Sequence, residues 1–296
     1  MTLAAVRRTL AEPRASVIIP PVTASLPRFT LACLSVALSF ALLFRLPAVA
    51  RAQSAQPPRA ASQSPRELAP VDLTGYWVSV VTEDWRYRMV MPLKGDYGSV
   101  PLNAAGRKAA DAWTPDQAGR CEAFGAAAVM RAPGRIHITW EDDSTLKIET
   151  EAGTQTRRIR FGSSAPAPTA ASWQGVSVAK WDPPPDVIDV LRTGGFDRLD
   201  AGQGAAARRA VWTPLKVITT NLRAGWLRPN GVPYSSQAAV TEHFMRFAVP
   251  EAGEWLTVRT IVDDPAYLVQ SFLTSTNFKR EADGSKWSPK PCREQE

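Results

Sequence analysis

The chain has 296 residues, 45% of them hydrophobic, and a formal net charge of +7 at pH 7. Residues 1–52 hold six Arg and one Glu, so they contribute 6 − 1 = +5 and leave 7 − 5 = +2 on residues 53–296. A nearly neutral remainder without a dense Lys/Arg stripe argues against a nucleic-acid-binding protein.

Residues 1–52 have the pattern of a secretory signal peptide. A basic leader precedes a hydrophobic run at residues 29–44, and Ala50-Arg51-Ala52 is a small-x-small cleavage site. The alternative is an uncleaved anchor helix, but the run is shorter than the ~20 residues that span a bilayer. We therefore expect a periplasmic or secreted protein with no transmembrane segment after cleavage.

Two cysteines, Cys121 and Cys292, remain after that cleavage. In an oxidising compartment such a pair favours a disulfide bond, which would tie the C-terminal tail to the body of the protein. Two unpaired thiols are the alternative, because spacing in sequence gives no distance in space.

The first part of the remaining chain changes character several times. Residues 53–70 are rich in Ala, Ser, Gln, Pro and Arg, which is typical of a disordered linker. Alternation of apolar and polar residues then predicts strands at 76–82 and 85–91. The alternation stops in an insertion at 92–133, where Asn103 predicts the N-cap of a short helix reaching residue 113. The Ala-rich stretch 122–130 is predicted as helix or loop.

Residues 135–161 give the clearest strand pattern. Ile136, Ile138 and Trp140 alternate with polar residues, and turns rich in Asp, Ser and Gly interrupt the alternation twice. Further strands are predicted at 173–181, 215–223, 238–249, 255–262 and 267–279. Between them, residues 182–214 form a second insertion with a helical turn at 186–192.

Sequential strands with short turns favour an antiparallel meander, and a long meander closes on itself to remove its edges. The predicted fold class is therefore all-β. Residues 71–296 are expected to form a single domain, an antiparallel meander closing into a barrel of about ten strands with short helical insertions.

Two resemblances follow from short motifs. Gly75-Tyr76-Trp77 is a Gly-x-Trp at the head of the first strand, and the hairpins after it resemble the calycin pattern of lipocalins, where such a Trp plugs the closed end of the barrel. A second resemblance rests on the short segments at 75–79, 84–86, 95–97, 140–143, 230–235 and 264–268. With these segments the chain resembles a group of exported bacterial proteins without an assigned function, which implies a shared fold and export but no reaction.

Residues 53–296 carry no signature of a metal, cofactor or nucleotide site. They contain two histidines, His137 and His243, and no His-x-x-x-His, Cys-x-x-Cys, Gly-x-Ser-x-Gly or phosphate-loop motif. No cofactor and no metal are therefore predicted.

One polar residue is predicted inside the barrel. His137 alternates with apolar residues and is expected at the surface. Residues 241–247 have no cleanly polar face, so either Glu242 or His243 should point inward among aromatic side chains. Such a group is either an acid or base with a shifted pKa or an ordinary internal hydrogen-bond partner.

All ten tryptophans lie in residues 53–296, and aromatic walls with a few polar groups are typical of a pocket for a small apolar or aromatic molecule. Plain core packing is the alternative. The loop 226–234 also places large apolar side chains and an Arg where a turn is expected. The predicted ligand-binding residues are Trp77, Tyr87, Met89, Trp140, Trp226 and Tyr234.

Three functions fit these patterns. The favoured hypothesis is an exported small-molecule binding protein that holds an apolar or aromatic ligand in a β-barrel pocket. The second is a cofactor-free lyase, isomerase or hydrolase that uses Glu242, His243 or Asp84 as acid or base. The third is an envelope protein that recognises another protein through the two insertions.

Export predicts a specific mature end. Cleavage after Ala52 should give a secreted chain that begins at Gln53, because residues 50–52 fit the specificity of signal peptidase. Intact mass and N-terminal sequencing of protein from the periplasm would measure it. A mature form that retains residues 29–44 would contradict the cleavage.

Overall fold

A closed β-barrel of nine strands is the centre of the structure, and the predicted all-β barrel is confirmed. The computed structural model describes residues 63–162, 170–182 and 213–294. The predicted signal peptide at 1–52 and the predicted helical turn at 186–192 lie outside the described residues, as does most of the insertion at 182–214.

Thirteen strands are present in the described part of the chain. In chain order they are β1 (Gly75–Val80), β2 (Arg135–Trp140), β3 (Thr145–Thr150), β4 (Ala152–Gly153), β5 (Gln155–Phe161), β6 (Val176–Trp181), β7 (Leu215–Thr220), β8 (Gly225–Arg228), β9 (Val232–Tyr234), β10 (Ala239–Val249), β11 (Gly253–Asp263), β12 (Phe272–Glu281) and β13 (Lys290–Pro291). The barrel order is β1-β12-β11-β10-β7-β6-β5-β3-β2, and β8–β9 and β4–β13 form separate two-stranded pairs.

The barrel is not antiparallel throughout, which corrects the predicted meander. Strands β5 and β6 pair in parallel, with Ile159 opposite Ser177 and Phe161 opposite Ala179. The reason is the connection at 162–175, which is long enough to carry the chain back to the end where β5 began. Strand β1 closes the barrel because it pairs with both β2 and β12.

Two short helices, α1 (Trp85–Arg88) and α2 (Ala104–Asp111), lie in the connection between β1 and β2. The predicted N-cap of α2 is confirmed, since Asn103 Oδ1 accepts a hydrogen bond from the Gly106 N–H at 2.8 Å. The Ala-rich stretch contributes two 3₁₀ turns, Cys121–Phe124 and Val129–Arg131. No helix among the described residues is long and apolar enough to cross a membrane.

The strand predicted at 85–91 is wrong, because its first half forms α1. Trp85 and Met89 are four residues apart, and that spacing places both side chains on one face in a strand and in a helical turn alike. The shared face points to solvent, with Trp85 64% exposed and Met89 59% exposed. The side chain that α1 buries is Arg88.

The buried side chains form two apolar clusters. The first fills the barrel and includes Trp77, whose indole N–H donates to the Leu73 carbonyl at 3.0 Å. The second lies at the end of the barrel where β10 and β12 begin. It joins that end to α2 and to the β8–β9 hairpin, and it includes Val240, Val262, Phe272, Leu227 and Tyr234.

A polar layer separates the two clusters. On β11, for example, Val258 belongs to the first cluster and Val262 to the second, and the buried Thr260 lies between them. Other barrel strands repeat this arrangement, which follows from the two-residue period of a strand. The buried polar side chains of the layer are Thr150, Arg157, Ser177, Thr219, Glu242, Thr260 and Thr276.

An ion pair holds this layer together. The Arg157 guanidinium donates to both carboxylate oxygens of Glu242, at 3.0 Å and 2.5 Å, and both side chains are fully buried. The Ser177 and Thr219 hydroxyls are hydrogen-bonded to each other at 2.7 Å beside it. This bidentate geometry compensates much of the cost of removing both charges from water.

The predicted disulfide between Cys121 and Cys292 is present and spans 171 residues of sequence. The tail beside it is held by backbone hydrogen bonds, from the Cys121 N–H to the Arg293 carbonyl at 3.0 Å and from the Arg293 N–H to the Gly119 carbonyl at 2.9 Å. The disulfide and these hydrogen bonds together attach the 3₁₀ turn Cys121–Phe124 to the C-terminal tail.

Removing the disulfide should lower the free energy of unfolding by up to about 5 kcal/mol, because the bond closes a long loop in the unfolded chain. Chemical denaturation of Cys121→Ala would measure the loss. Cys292→Ala should lose the same amount, and the double variant no more than either single one. Additive losses would show that the cysteines act separately.

Loss of one partner of the buried ion pair should lower the free energy of unfolding more than replacement of both partners by apolar residues. Glu242→Gln leaves the Arg157 cation buried without its partner and should cost about 3–5 kcal/mol, whereas Arg157→Met with Glu242→Leu should recover most of that loss. The matched control is Glu141→Gln, which removes the carboxylate of the exposed Arg158 pair and should change stability little. Denaturant midpoints of the variants test this, and equal losses for Glu242→Gln and Glu141→Gln would refute it.

Candidate functional site

The structure places Glu242 and His243 on opposite faces of β10. Glu242 points into the barrel, as one of the pair was expected to do, and it is engaged with Arg157. His243 lies on the opposite face of β10 and is half-buried. Burial, and then the cations Lys216 and Arg259, lower the pKa of His243 below its usual value, which favours the neutral imidazole.

The four residues predicted to line one pocket do not meet. Trp77 is fully buried in the barrel cluster, and Trp140 packs at the edge of that cluster with its ring centroid 5.4 Å from that of Phe161. Tyr87 belongs to α1 and Met89 is the residue after α1, so both lie in the connection between β1 and β2 and not on a barrel strand. Large side chains thus occupy the barrel interior where a ligand was expected.

The other two predicted ligand-binding residues lie on the β8–β9 hairpin. Trp226 is partly buried on β8, opposite Pro233. Tyr234 is fully buried on β9, and its hydroxyl has no hydrogen-bond partner among the described residues. Burial, and then the charge of Glu122, raise the pKa of Tyr234 above its usual value, so it stays a neutral phenol.

A cleft of about 140 Å³ opens beside this hairpin, between α1, the two 3₁₀ turns and the β8–β9 turn. We name it the arginine cleft, because its wall contains Arg88, Arg131 and Arg228 in addition to Tyr87. The rest of its lining is predominantly apolar and includes Phe124, Ala128, Ala132, Pro133, Leu227 and Pro229.

The three guanidinium groups of this cleft are buried, with Arg88 9% exposed, Arg131 7% and Arg228 2%. Arg88 donates to the Arg131 carbonyl at 2.9 Å and to Glu83 at 3.0 Å. Arg131 donates to Asp84 at 2.9 Å. These bonds draw Arg88 and Arg131 together at the base of α1.

The third guanidinium comes from the hairpin. Arg228 donates to the Gly98 carbonyl at 2.7 Å and to the Ser99 hydroxyl at 2.8 Å. Its guanidinium carbon lies 4.0 Å from the centre of the Tyr87 ring, a cation–π contact that holds the Tyr87 ring against it. The β8–β9 turn is thereby attached to the first insertion.

Each guanidinium keeps an unused donor. Arg88 Nη2, Arg131 Nη1 and Arg228 Nε are buried and have no hydrogen-bond partner among the described residues. A buried donor left without an acceptor costs roughly 1–3 kcal/mol, and more when the group is charged. Three such donors belong to the residues of one cleft, and an acceptor bound there would form the hydrogen bonds that they lack.

The pKa values of the three arginines are lowered, as expected for buried cations that lie close to one another. Burial lowers the pKa of Arg88 and of Arg131, and burial followed by the charge of Arg131 lowers the pKa of Arg228 to about 10. A guanidinium group stays charged at neutral pH in a protein, so all three arginines are buried as cations. The Asp84 charge raises the pKa at each of them and so opposes the effect of burial.

Asp84 itself has an unusual backbone. Its φ is 50°, in the left-handed region that non-glycine residues rarely occupy, apart from Asn and Asp. Asp84 is the N-cap of α1, and its carboxylate is directed toward Arg131. Because Asp is one of the few side chains that tolerate this conformation, the position can place a carboxylate beside the buried arginines.

Sequence patterns single out two residues of this cleft, Asp84 as an acid or base and Tyr87 as a pocket residue, and of its three arginines they mark one. Only Arg228 carried a signal, since it stands among apolar residues in the loop 226–234. Arg88 was hidden by the apparent strand alternation of its neighbours.

A second depression, of about 250 Å³, lies on the outer wall at the parallel seam of β5 and β6. Its lining is polar and includes Thr156, Arg158, Arg160, Ser172 and Gln174. Arg158 is exposed and already paired with Glu141, at 2.8 Å. This groove lacks the buried, uncompensated donors of the arginine cleft.

The described residues contain no group of three or more His, Cys, Asp or Glu side chains placed to hold a metal ion. Comparisons with protein-family models, with curated proteins and with solved structures found no match to this chain. The geometry of the arginine cleft is thus the observation from which a function is argued.

Proposed function

We propose that this chain is an exported, lipocalin-like binding protein, similar to exported bacterial proteins of unassigned function, that holds a small organic molecule with an apolar or aromatic body in the arginine cleft. The observation that carries the proposal is the cleft itself: predominantly apolar walls with a few buried polar groups that have unused donors. Such a combination is typical of small-molecule sites.

The barrel interior is the weaker location for a ligand. Its apolar cluster contains the fully buried rings of Trp77, Phe244 and Phe278, and the polar layer beyond them is crossed by the Arg157–Glu242 pair. A ligand there would have to displace tightly packed side chains. The arginine cleft requires no such displacement of the barrel core.

Binding is better supported than the acid–base chemistry of the alternative hypothesis. Glu242 is engaged with Arg157 inside the barrel, and His243 lies on the outer face of β10. Asp84 belongs to the arginine cluster, but its carboxylate accepts a hydrogen bond from Arg131. A carboxylate paired in this way orients and neutralises the arginines, which serves ligand binding rather than proton transfer.

Blocking the cleft should abolish binding of small aromatic molecules. Ala132 lines the cleft and is partly exposed, so Ala132→Phe should place a ring in it with little disturbance of the core. Benzoate and benzyl alcohol serve as probes. We expect saturable amide shifts near Leu227 in two-dimensional NMR spectra of the native protein, and Kd values at least about tenfold higher in the variant, which corresponds to about 1.4 kcal/mol.

The matched control is Ala252→Phe, which adds the same ring to a partly exposed alanine in the turn between β10 and β11. This variant should bind the probes as the native protein does. If neither probe shifts amides of the cleft, or if Ala132→Phe binds them unchanged, the cleft is not the ligand site.

A further inference from the structure

We infer that the ligand of the arginine cleft is a monoanion, a carboxylate attached to an apolar body, and that the Asp84 carboxylate competes with this ligand for the arginines. This inference rests on the proposed function and specifies its ligand class.

The charge count favours one negative charge. Three guanidinium groups, Arg88, Arg131 and Arg228, face two carboxylates, Glu83 and Asp84, so the cluster carries 3 − 2 = +1. The outer pair Arg86–Asp96 adds one charge of each sign and leaves this balance unchanged. A single carboxylate would make the cluster neutral, whereas a dianion would leave it at −1.

The donors favour a carboxylate over a neutral polar group. Arg88 Nη2, Arg131 Nη1 and Arg228 Nε are N–H donors without acceptors, and a carboxylate offers only acceptors. Guanidinium–carboxylate hydrogen bonds are shorter and stronger than those to neutral groups. A neutral amide of the same shape would bring N–H donors of its own among the guanidiniums and would satisfy fewer of theirs.

Access to these donors requires a small movement, because the three nitrogen atoms are covered by their neighbours. The α1 turn is the wall best suited to move. It has four residues, of which only Arg88 is buried, while Trp85 is among the most exposed large side chains of the described residues. A segment with a single buried side chain is the part of the wall that can open locally, although the hydrogen bonds of Arg88 and the Tyr87–Arg228 contact hold it in the closed state.

Asp84 supplies a direct test of the charge argument. Its carboxylate is the negative charge that acts on all three guanidiniums, and it takes one of the hydrogen bonds that Arg131 would give a ligand. Among non-glycine residues, Asn tolerates the left-handed backbone found there as Asp does. Asp84→Asn therefore removes the competing charge without requiring a change of backbone.

The experiment measures Kd by calorimetry at pH 7 for benzoate, benzamide and phenyl phosphate with the full secreted chain. Benzoate should bind about tenfold or more tightly than benzamide, its neutral isostere, because only the carboxylate satisfies the arginines. It should also bind more tightly than phenyl phosphate, which carries more than one negative charge at this pH. Asp84→Asn should tighten benzoate several-fold and leave benzamide unchanged.

The matched control variant is Glu141→Gln, which removes a carboxylate from the exposed Arg158 pair outside the cleft and should leave all three Kd values unchanged. If benzamide binds in the cleft as tightly as benzoate, or if Asp84→Asn leaves the benzoate Kd unchanged, the anion inference falls and the binding function stands. Tighter binding of phenyl phosphate overturns the monocarboxylate class. If no probe shifts amides of the cleft, the proposed function falls and this inference with it.

Discussion

The ion pair between Arg157 and Glu242 is the constraint on which the barrel depends. It joins β5 to β10, which are separated in the barrel by β6 and β7, so it spans the interior. A slip of one residue in either strand would turn one charge outward and leave the other buried alone. The pair therefore fixes the register of both strands. It also keeps the apolar contents of the barrel apart from the cluster at its end, where the arginine cleft lies.

Much of the barrel could be predicted because period-two alternation reports directly which face of a strand is buried. Residues such as Ile136, Ile138 and Ile148 carry that pattern plainly, and the turns between them are polar. The pattern does not report which strands become neighbours, so the parallel seam of β5 and β6 was missed. Nor does it distinguish a strand from one helical turn when the period rests on Trp85 and Met89, four residues apart.

The site was less predictable for a different reason. Residue type suggested that aromatic side chains mark the pocket, but Trp77 and its neighbours are barrel core. The arginines of the cleft come from α1, a 3₁₀ turn and a hairpin, and nothing in their spacing shows that they converge. A buried Arg is rare, so an Arg in a sequence is ordinarily interpreted as a solvated surface residue. Glu242 was identified only because β10 lacks a polar face.

The closure of the barrel through β1 also governs how the chain is made. Strand β1 is synthesised first among the barrel strands and β12 last, yet the two are partners. Until β12 has been synthesised, β1 has one unpaired edge and β11 another, and unpaired edges are templates for association between chains. A chain released before residue 281 would keep both edges open. Nearly the whole sequence must therefore be synthesised before the barrel can close and its strand edges can no longer pair with other copies of the chain.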